Sequence, residues 1–253
     1  MLAGLLALAT SIGVVTTPIV PLRYKIEIKT SQEVDLSAMG QAKMTGDIAA
    51  VAFLSVTMSD SSAGQLAHIV VDSMTLAPSG MMAQGYDPAL VAGTKGGFYH
   101  VYVVGGKVQG TPKPSAIDNQ VLTLLAQAVM MMFPGNTKAG LKAGDTYTDT
   151  ATTSNTTAQG TNNSSSVTTW TVTGMDGEAT VFTGDTAGRM TMDGGQNAMT
   201  GTNKGMRTMA STPKGPVKSA TFTGTVDIAV VPAGMSDVIP VKGVTTVTIT
   251  QLN

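Results

Sequence analysis

The chain has 253 residues, a net charge of −1 and only 12% charged residues, about half the share usual in globular proteins. So few basic residues give no electrostatic grip on a phosphate backbone, which excludes nucleic-acid binding, and the absence of cysteine excludes a disulfide framework and a cysteine-held zinc site. Low net charge also means weak self-repulsion, which suits a protein that lives inside an assembly.

Residues 1–22 carry no charged side chain. They read as an export signal or a membrane anchor, with Leu2, Leu5, Leu6, Leu8, Ile12, Val14 and Val15 as the apolar groups that meet lipid or a partner. A spanning helix needs about 20 residues. Met1 to Thr17 would reach only about 25 Å as a helix, and Pro18 and Pro21 end it by removing amide donors. The segment lacks the basic opening of a standard signal. No cysteine is present to be acylated, so a lipoprotein signal is excluded. The expectation is a signal-like or anchoring arm over 1–22 and one β-rich domain over 23–253, periplasmic or otherwise extracytoplasmic and membrane-associated.

From Arg23 to Lys29, charged and apolar residues alternate without a miss, which predicts a half-buried strand with Tyr24, Ile26 and Ile28 inward. Ile48–Met58 and Leu66–Leu76 are the next predicted strands, separated by the turn cluster 59–64. Phe98–Val104 runs into Gly105-Gly106, which supplies the positive φ a two-residue hairpin requires. A helix is predicted over about 115–133, capped at Pro114-Ser115 and stopped by Pro134-Gly135. Its apolar face is Ile117, Val121, Leu124, Leu125, Ala128 and Met132, at helical spacing. Asp145–Thr152 and Val167–Thr173 then read as threonine-rich strands, with Ser154–Ser166 between them as a polar loop or hairpin tip. Glu178–Phe182, Gly188–Asp193, Ala220–Val231 and Val244–Leu252 complete about ten to twelve strands. The fold class expected is mainly β: a curved antiparallel sheet, half-barrel or sandwich, with one main helix packed on it.

The residues offer little chemistry. The only histidines, His68 and His100, sit in strands among apolar neighbours; if those strands pair, the rings approach, and Asp72 is the nearest third ligand. Structural histidines explain this pattern better than a metal site. No serine lies in a nucleophile-elbow motif, and Asp149, Asp176, Glu178, Asp185 and Asp193 are expected near turns, as solvated acids. Gly105–Gly110 lacks both the spacing and the following helix of a nucleotide loop. Met190, Met192 and Met199 place thioethers close together in sequence, and thioethers favour Cu(I). Against copper, methionine is used as a general hydrophobe throughout, as in Met130-Met131-Met132. No catalytic residue and no cofactor is expected.

The strand Arg23–Lys29 followed by Glu33-Val34-Asp35-Leu36, together with Leu141-Lys142-Ala143-Gly144-Asp145-Thr146-Tyr147-Thr148, resembles a group of exported β-rich bacterial proteins of unknown function. Their common mark is a Gly-Asp-Thr-Trp/Tyr-Thr strand start after a central helix. The resemblance covers most of the chain through short motifs. It implies a half-barrel similar to lipoprotein carriers, in which a helix lids an apolar concave face, and it brings no catalytic residues. It also implies a place among accessory subunits on the extracytoplasmic side of membrane complexes, such as bacterial reaction-centre–light-harvesting assemblies.

The function expected is therefore a non-enzymatic structural or accessory subunit on the extracytoplasmic face of a bacterial membrane complex, photosynthetic in the case the resemblance suggests. Its partners would be other subunits, and membrane lipid through the N-terminus. The alternative is a periplasmic carrier holding a lipid or another apolar ligand between sheet and helix.

Overall fold

The computed structural model describes residues 20–62, 64–116, 119–135, 140–157, 160–193, 197–212, 215–234 and 236–253. The expected contact residues Leu2, Leu5, Leu6, Leu8, Ile12, Val14 and Val15 lie outside them, as does Ile117 of the expected helix face.

The chain is mainly β. Its strands are β1 (Leu22–Val34), β2 (Met44–Ser61), β3 (Gly64–Gly80), β4 (Phe98–Val104), β5 (Lys107–Val108), β6 (Lys113–Pro114), β7 (Thr146–Thr157), β8 (Gly160–Asp176), β9 (Ala179–Asp193), β10 (Asn197–Ser211), β11 (Ser219–Pro232) and β12 (Ile239–Gln251). The helices are α1 (Pro88–Ala92) and α2 (Gln120–Met131), with 3₁₀ turns at Ser37–Met39 and Met81–Ala83. All strands join one antiparallel twelve-stranded sheet in the order β5-β4-β3-β2-β1-β12-β11-β10-β9-β8-β7, with β6 on β4. Neighbours are consecutive in the chain except at the centre, where β1 pairs with β12 from Tyr24↔Gln251 to Val34↔Val241. Among the described residues the sheet is open, with β5 and β7 at its edges.

The period-two pattern decides which face is inner. Tyr24, Ile26 and Ile28 on β1 are buried as expected, alongside Ala50, Ala52 and Leu54 on β2 and Ile249 on β12. α2 packs on this inner face: Leu122, Leu125, Val129 and Met132 are fully buried, in one cluster with Ile69 and Val101 from one half of the sheet and Trp170 and Phe182 from the other. Backbone bonds fasten the end of α2 to both halves. Gly135 N–H donates to the Gly106 carbonyl at 3.1 Å, and Val217 N–H donates to the Met132 carbonyl at 2.8 Å. Two buried tyrosines lock the same layer, Tyr24 donating to the Val217 carbonyl at 2.9 Å and Tyr99 to the Leu122 carbonyl. Burial of this kind yields about 25 cal/mol per Å² of apolar surface.

Several expectations need correction. The helix starts at Gln120 rather than near 115, because Asn119 is its cap: the Asn119 carboxamide oxygen accepts from Val121 and Leu122 N–H at 3.0 and 3.3 Å. Pro114 pairs instead with Tyr99, and the Ser115 hydroxyl accepts from Phe98 N–H. Val121, Leu125, Ala128 and Met132 are buried as expected, while Leu124 is only partly so. The polar stretch 154–166 is not a loop over its described residues but the far ends of β7 and β8, in register from Ser154↔Asn163 to Thr157↔Gly160. Ladder pairing outweighs the weak strand preference of serine and asparagine there. The two short strands expected over 178–193 are one, β9, and β10 lies where none was expected.

Candidate functional site

The strands are longer than the core needs, and α2 covers only the inner-face half near Leu22, Val217 and Gln251. Register fixes what lies on that face beyond the helix, since directly paired residues share a face. One cross-sheet row runs Tyr147–Trp170–Gly184–Arg207–Phe222–Val247. The next row, away from α2, runs Asp149–Thr168–Thr186–Gly205–Gly224–Thr245. Asn203 and Gly188 follow in the third row.

Glycines make this arrangement possible. A Cβ on Gly184 would come within 2.5 Å of the Trp170 ring, and one on Gly224 within 2.4 Å of the Phe222 ring. Both aromatic rings therefore lie down across bare backbone of the neighbouring strand or their own. Trp170 also meets Phe182 edge-on at 6.4 Å and stacks with Tyr147 at 6.5 Å. The second row is closed by hydroxyl pairs, Thr168 with Thr186 at 2.8 Å and Thr30 with Thr245 at 3.2 Å. These threonines all lie on the inner face.

Arg207 is the unusual residue of the face. Its guanidinium carbon lies 5.1 Å from the centre of the Phe222 ring. Its Nε is fully buried and makes no hydrogen bond, and no described carboxylate forms an ion pair with it. Burial lowers its pKa, opposed by the charge of Asp149. Tyr147 is pushed up to about 12, first by burial and then by Asp149. The Trp170 indole Nε1 and the Asn203 carboxamide oxygen are likewise buried without a partner. Each unmet polar atom of this kind costs about 1–3 kcal/mol. Sequence reasoning missed Arg207 and Asn203 because it missed β10. The available signal was the threonine and lysine at Thr200, Thr202, Lys204 and Thr208 alternating with Met199, Gly201, Asn203, Gly205, Arg207 and Met209, diluted by two glycines and broken by Met206.

Farther along the inner face, apolar side chains return. Met192 pairs directly with Met199, and Met190 stands two residues away on the same face of β9. The structure thus brings the three thioethers named above into one patch. They continue into Ile228, Val230, Val241 and Ile239 on β11 and β12, and into Val34 and Met44 on β1 and β2. All of these but the buried Val241 remain partly exposed. The 3₁₀ turn at Met81–Ala83 packs on β2 at the edge of this part of the face, where Met81 and Met82 fill the space of the missing side chain of Gly46.

His68 and His100 do face each other, on the outer face, as a direct β3–β4 pair with ring centres 4.8 Å apart and Phe98 within 5.3 Å of both. Burial and the neighbouring imidazole lower the His68 pKa. Asp72 does not join them: it accepts from the Ser55 hydroxyl at 2.7 Å and faces Arg23 at 3.6 Å. No cluster of three histidine, aspartate or glutamate ligands occurs among the described residues. Asp176 and Glu178 lie at the β8–β9 turn as expected, and Asp193 at the end of β9, but Asp149 and Asp185 are mid-strand. A cleft of about 430 Å³ at the rim nearest the C-terminus is lined by Asp176, Glu178, Lys218 and Gln251, with Lys218 and Asp176 already paired at 2.7 Å.

No protein-family model and no curated protein sequence matches the chain. Among solved structures, OpdO of Pseudomonas aeruginosa aligns with 92% of this chain and 97% of its own at 8% identity, with a TM-score of 0.16, too low to bear on fold or function. Among the described residues, no helix is long and apolar enough to cross a membrane.

Proposed function

We propose that the protein is a non-enzymatic accessory subunit whose sheet, curved as a half-barrel around α2, receives a partner protein on the part of the inner face that α2 leaves bare. One observation carries this reading: the apolar stripe from Met190 and Met192 through Ile228 and Val241 to Val34 and Met44, partly exposed at every one of these residues except Val241. A sheet with one apolar face is stable when a second layer covers it. The stripe crosses six strands, β9 to β12, β1 and β2. At about 4.8 Å per strand that is roughly 25 Å, the width of a protein contact rather than of one small molecule. The uncharged 1–22 segment supports an extracytoplasmic, membrane-associated setting. The test is mild-detergent extraction of the native protein followed by size exclusion. Co-migration with other polypeptides, abolished by Ile228→Asp with Val230→Asp, is expected; a free monomer after gentle extraction overturns the reading.

A second reading, a carrier of an apolar ligand, is favoured by the same bare face ending at the unpartnered polar atoms of Arg207 and Trp170. It moves the ligand from between sheet and helix, where Leu122, Leu125 and Val129 already fill the space, to the neighbouring part of the sheet. Native mass spectrometry of the purified chain is expected to show a bound lipid; a bare mass in every charge state rejects this version.

A further inference from the structure

We infer that Arg207, with Trp170 in the same cross-sheet row, forms a binding site for a carboxylate monoanion on the inner face of the sheet. Two side chains of one cross-sheet row, on β8 and β10, each hold a buried, unpartnered donor: Arg207 Nε and Trp170 Nε1. Buried polar groups are nearly always partnered, so a cluster of such atoms marks the place of a missing partner. Both are donors only, so the partner is an acceptor. The guanidinium carries a full positive charge and no described carboxylate pairs with it, so that acceptor is an anion.

The charge balance selects the class of anion. One guanidinium faces the field of one carboxylate, Asp149, which is near enough to raise its pKa but not near enough to pair. Asp149 repels any anion, but a dianion such as a phosphate monoester about twice as strongly as a monoanion, so the single guanidinium of Arg207 favours the monoanion. The fork of Arg207 meets two carboxylate oxygens side by side. Phe222 beneath the guanidinium and Gly184 between Trp170 and Arg207 keep the approach flat and unobstructed by side chains of the intervening strand. Arg207 as a whole keeps partial exposure, so the site is reachable.

Beyond Asn203 the face turns apolar at Met190, Ile228 and Met199. A carboxylate bearing a hydrocarbon chain would therefore gain burial that acetate would not. This inference deepens the carrier reading and is independent of the subunit reading. Trp170 is the only tryptophan, so its emission reports the site directly.

The experiment titrates the full chain with decanoate, decanol and acetate, each below its aggregation limit, while following Trp170 emission. Saturable decanoate binding, weakened at least tenfold by Arg207→Met and partly restored by Arg207→Lys, is expected; a urea midpoint for each variant confirms that it is folded. Should Arg207→Met fail to fold, Arg207→Lys alone must weaken decanoate binding, because lysine lacks the two-pronged fork. Acetate binding as tightly as decanoate upholds the anion site and removes the carrier reading. Decanol binding as tightly as decanoate, with no effect of the Arg207 variants, upholds the carrier reading and overturns the site. Absence of saturable binding by either carboxylate also overturns it.

Discussion

Single side chains settle where this sheet is held shut. The Tyr24 hydroxyl lies deep in the core, donates to the Val217 carbonyl at 2.9 Å and sits 3.3 Å from the Gln251 carboxamide oxygen. Tyr24→Phe keeps the ring but leaves the buried carbonyl without its donor. A loss of about 1–3 kcal/mol is expected in urea denaturation, against almost none for Tyr102→Phe, an exposed tyrosine. His68 offers a second measurement. Its pKa in the fold is lowered, by burial first and by His100 second. A histidine in the unfolded chain titrates near 6.5. Between that value and the lower folded one, the unfolded chain binds more protons, so stability falls as pH drops through the window and is fully retained above it. Comparing melting temperatures at pH 7 and pH 5, wild type is expected to lose more than His68→Gln, by under about 1 kcal/mol because the ring is partly exposed and screened. Equal losses in the two proteins would contradict this account.

At the scale of elements, α2 shows how a cap outranks a pattern. The apolar periodicity of 117–132 is real, but a helix begins where its first amides find an acceptor. Asn119 supplies that acceptor, and its amide nitrogen also donates to the Leu90 carbonyl at 2.9 Å, tying α2 to α1. Asn119→Ala is expected to cost about 1–2 kcal/mol, measured as a shift in urea midpoint with unchanged slope. Asn119→Asp should recover only part of it, since aspartate caps equally well but cannot donate to the Leu90 carbonyl. The β8–β10 ribbon teaches the complementary lesson. Its serines, threonines, asparagines and glycines look like loop composition, yet they form strands in unbroken register over Asn162↔Met192 to Val172↔Phe182 except for one bulge at Val172–Gly174. Strand preference is set by what a residue packs beside, and here small residues make room for Trp170 and Phe222.

Over the whole molecule, the sheet depends on one non-local joint. Every other strand pairing within the main ladder joins neighbours in sequence, but β1 and β12 are brought together from opposite ends of the chain. Closing that joint orders a long stretch of chain before any contact rewards it, which makes it a slow step in folding. Removal of residues 239–253 deletes β12 and leaves β1 and β11 with bare edges in the middle of the core. The truncated chain is expected to lose the cooperative unfolding transition in near-ultraviolet circular dichroism. A sharp transition at the native midpoint would show that the two halves fold separately.

The amino-acid sequence by itself determined the elements with strong local signals. The alternation of Arg23–Lys29, the Gly105-Gly106 hairpin with φ of 57° and 76°, and the apolar face Val121, Leu125, Ala128 and Met132 all rest on contacts within a few residues, which is why they are legible without the fold. The mainly β class followed from the same local patterns. Only the tertiary structure decided the rest. Whether 197–211 is a strand depends on β9 and β11 lying on either side of it, and that pairing is not encoded in its own composition. The candidate site has the same origin. Trp170 and Arg207 stand 37 positions apart and are brought into one row, and Met192 meets Met199, only through the register of three strands. Register is a property of the assembled sheet, fixed by which apolar set must be buried, so the residues it juxtaposes cannot be read from their spacing along the chain.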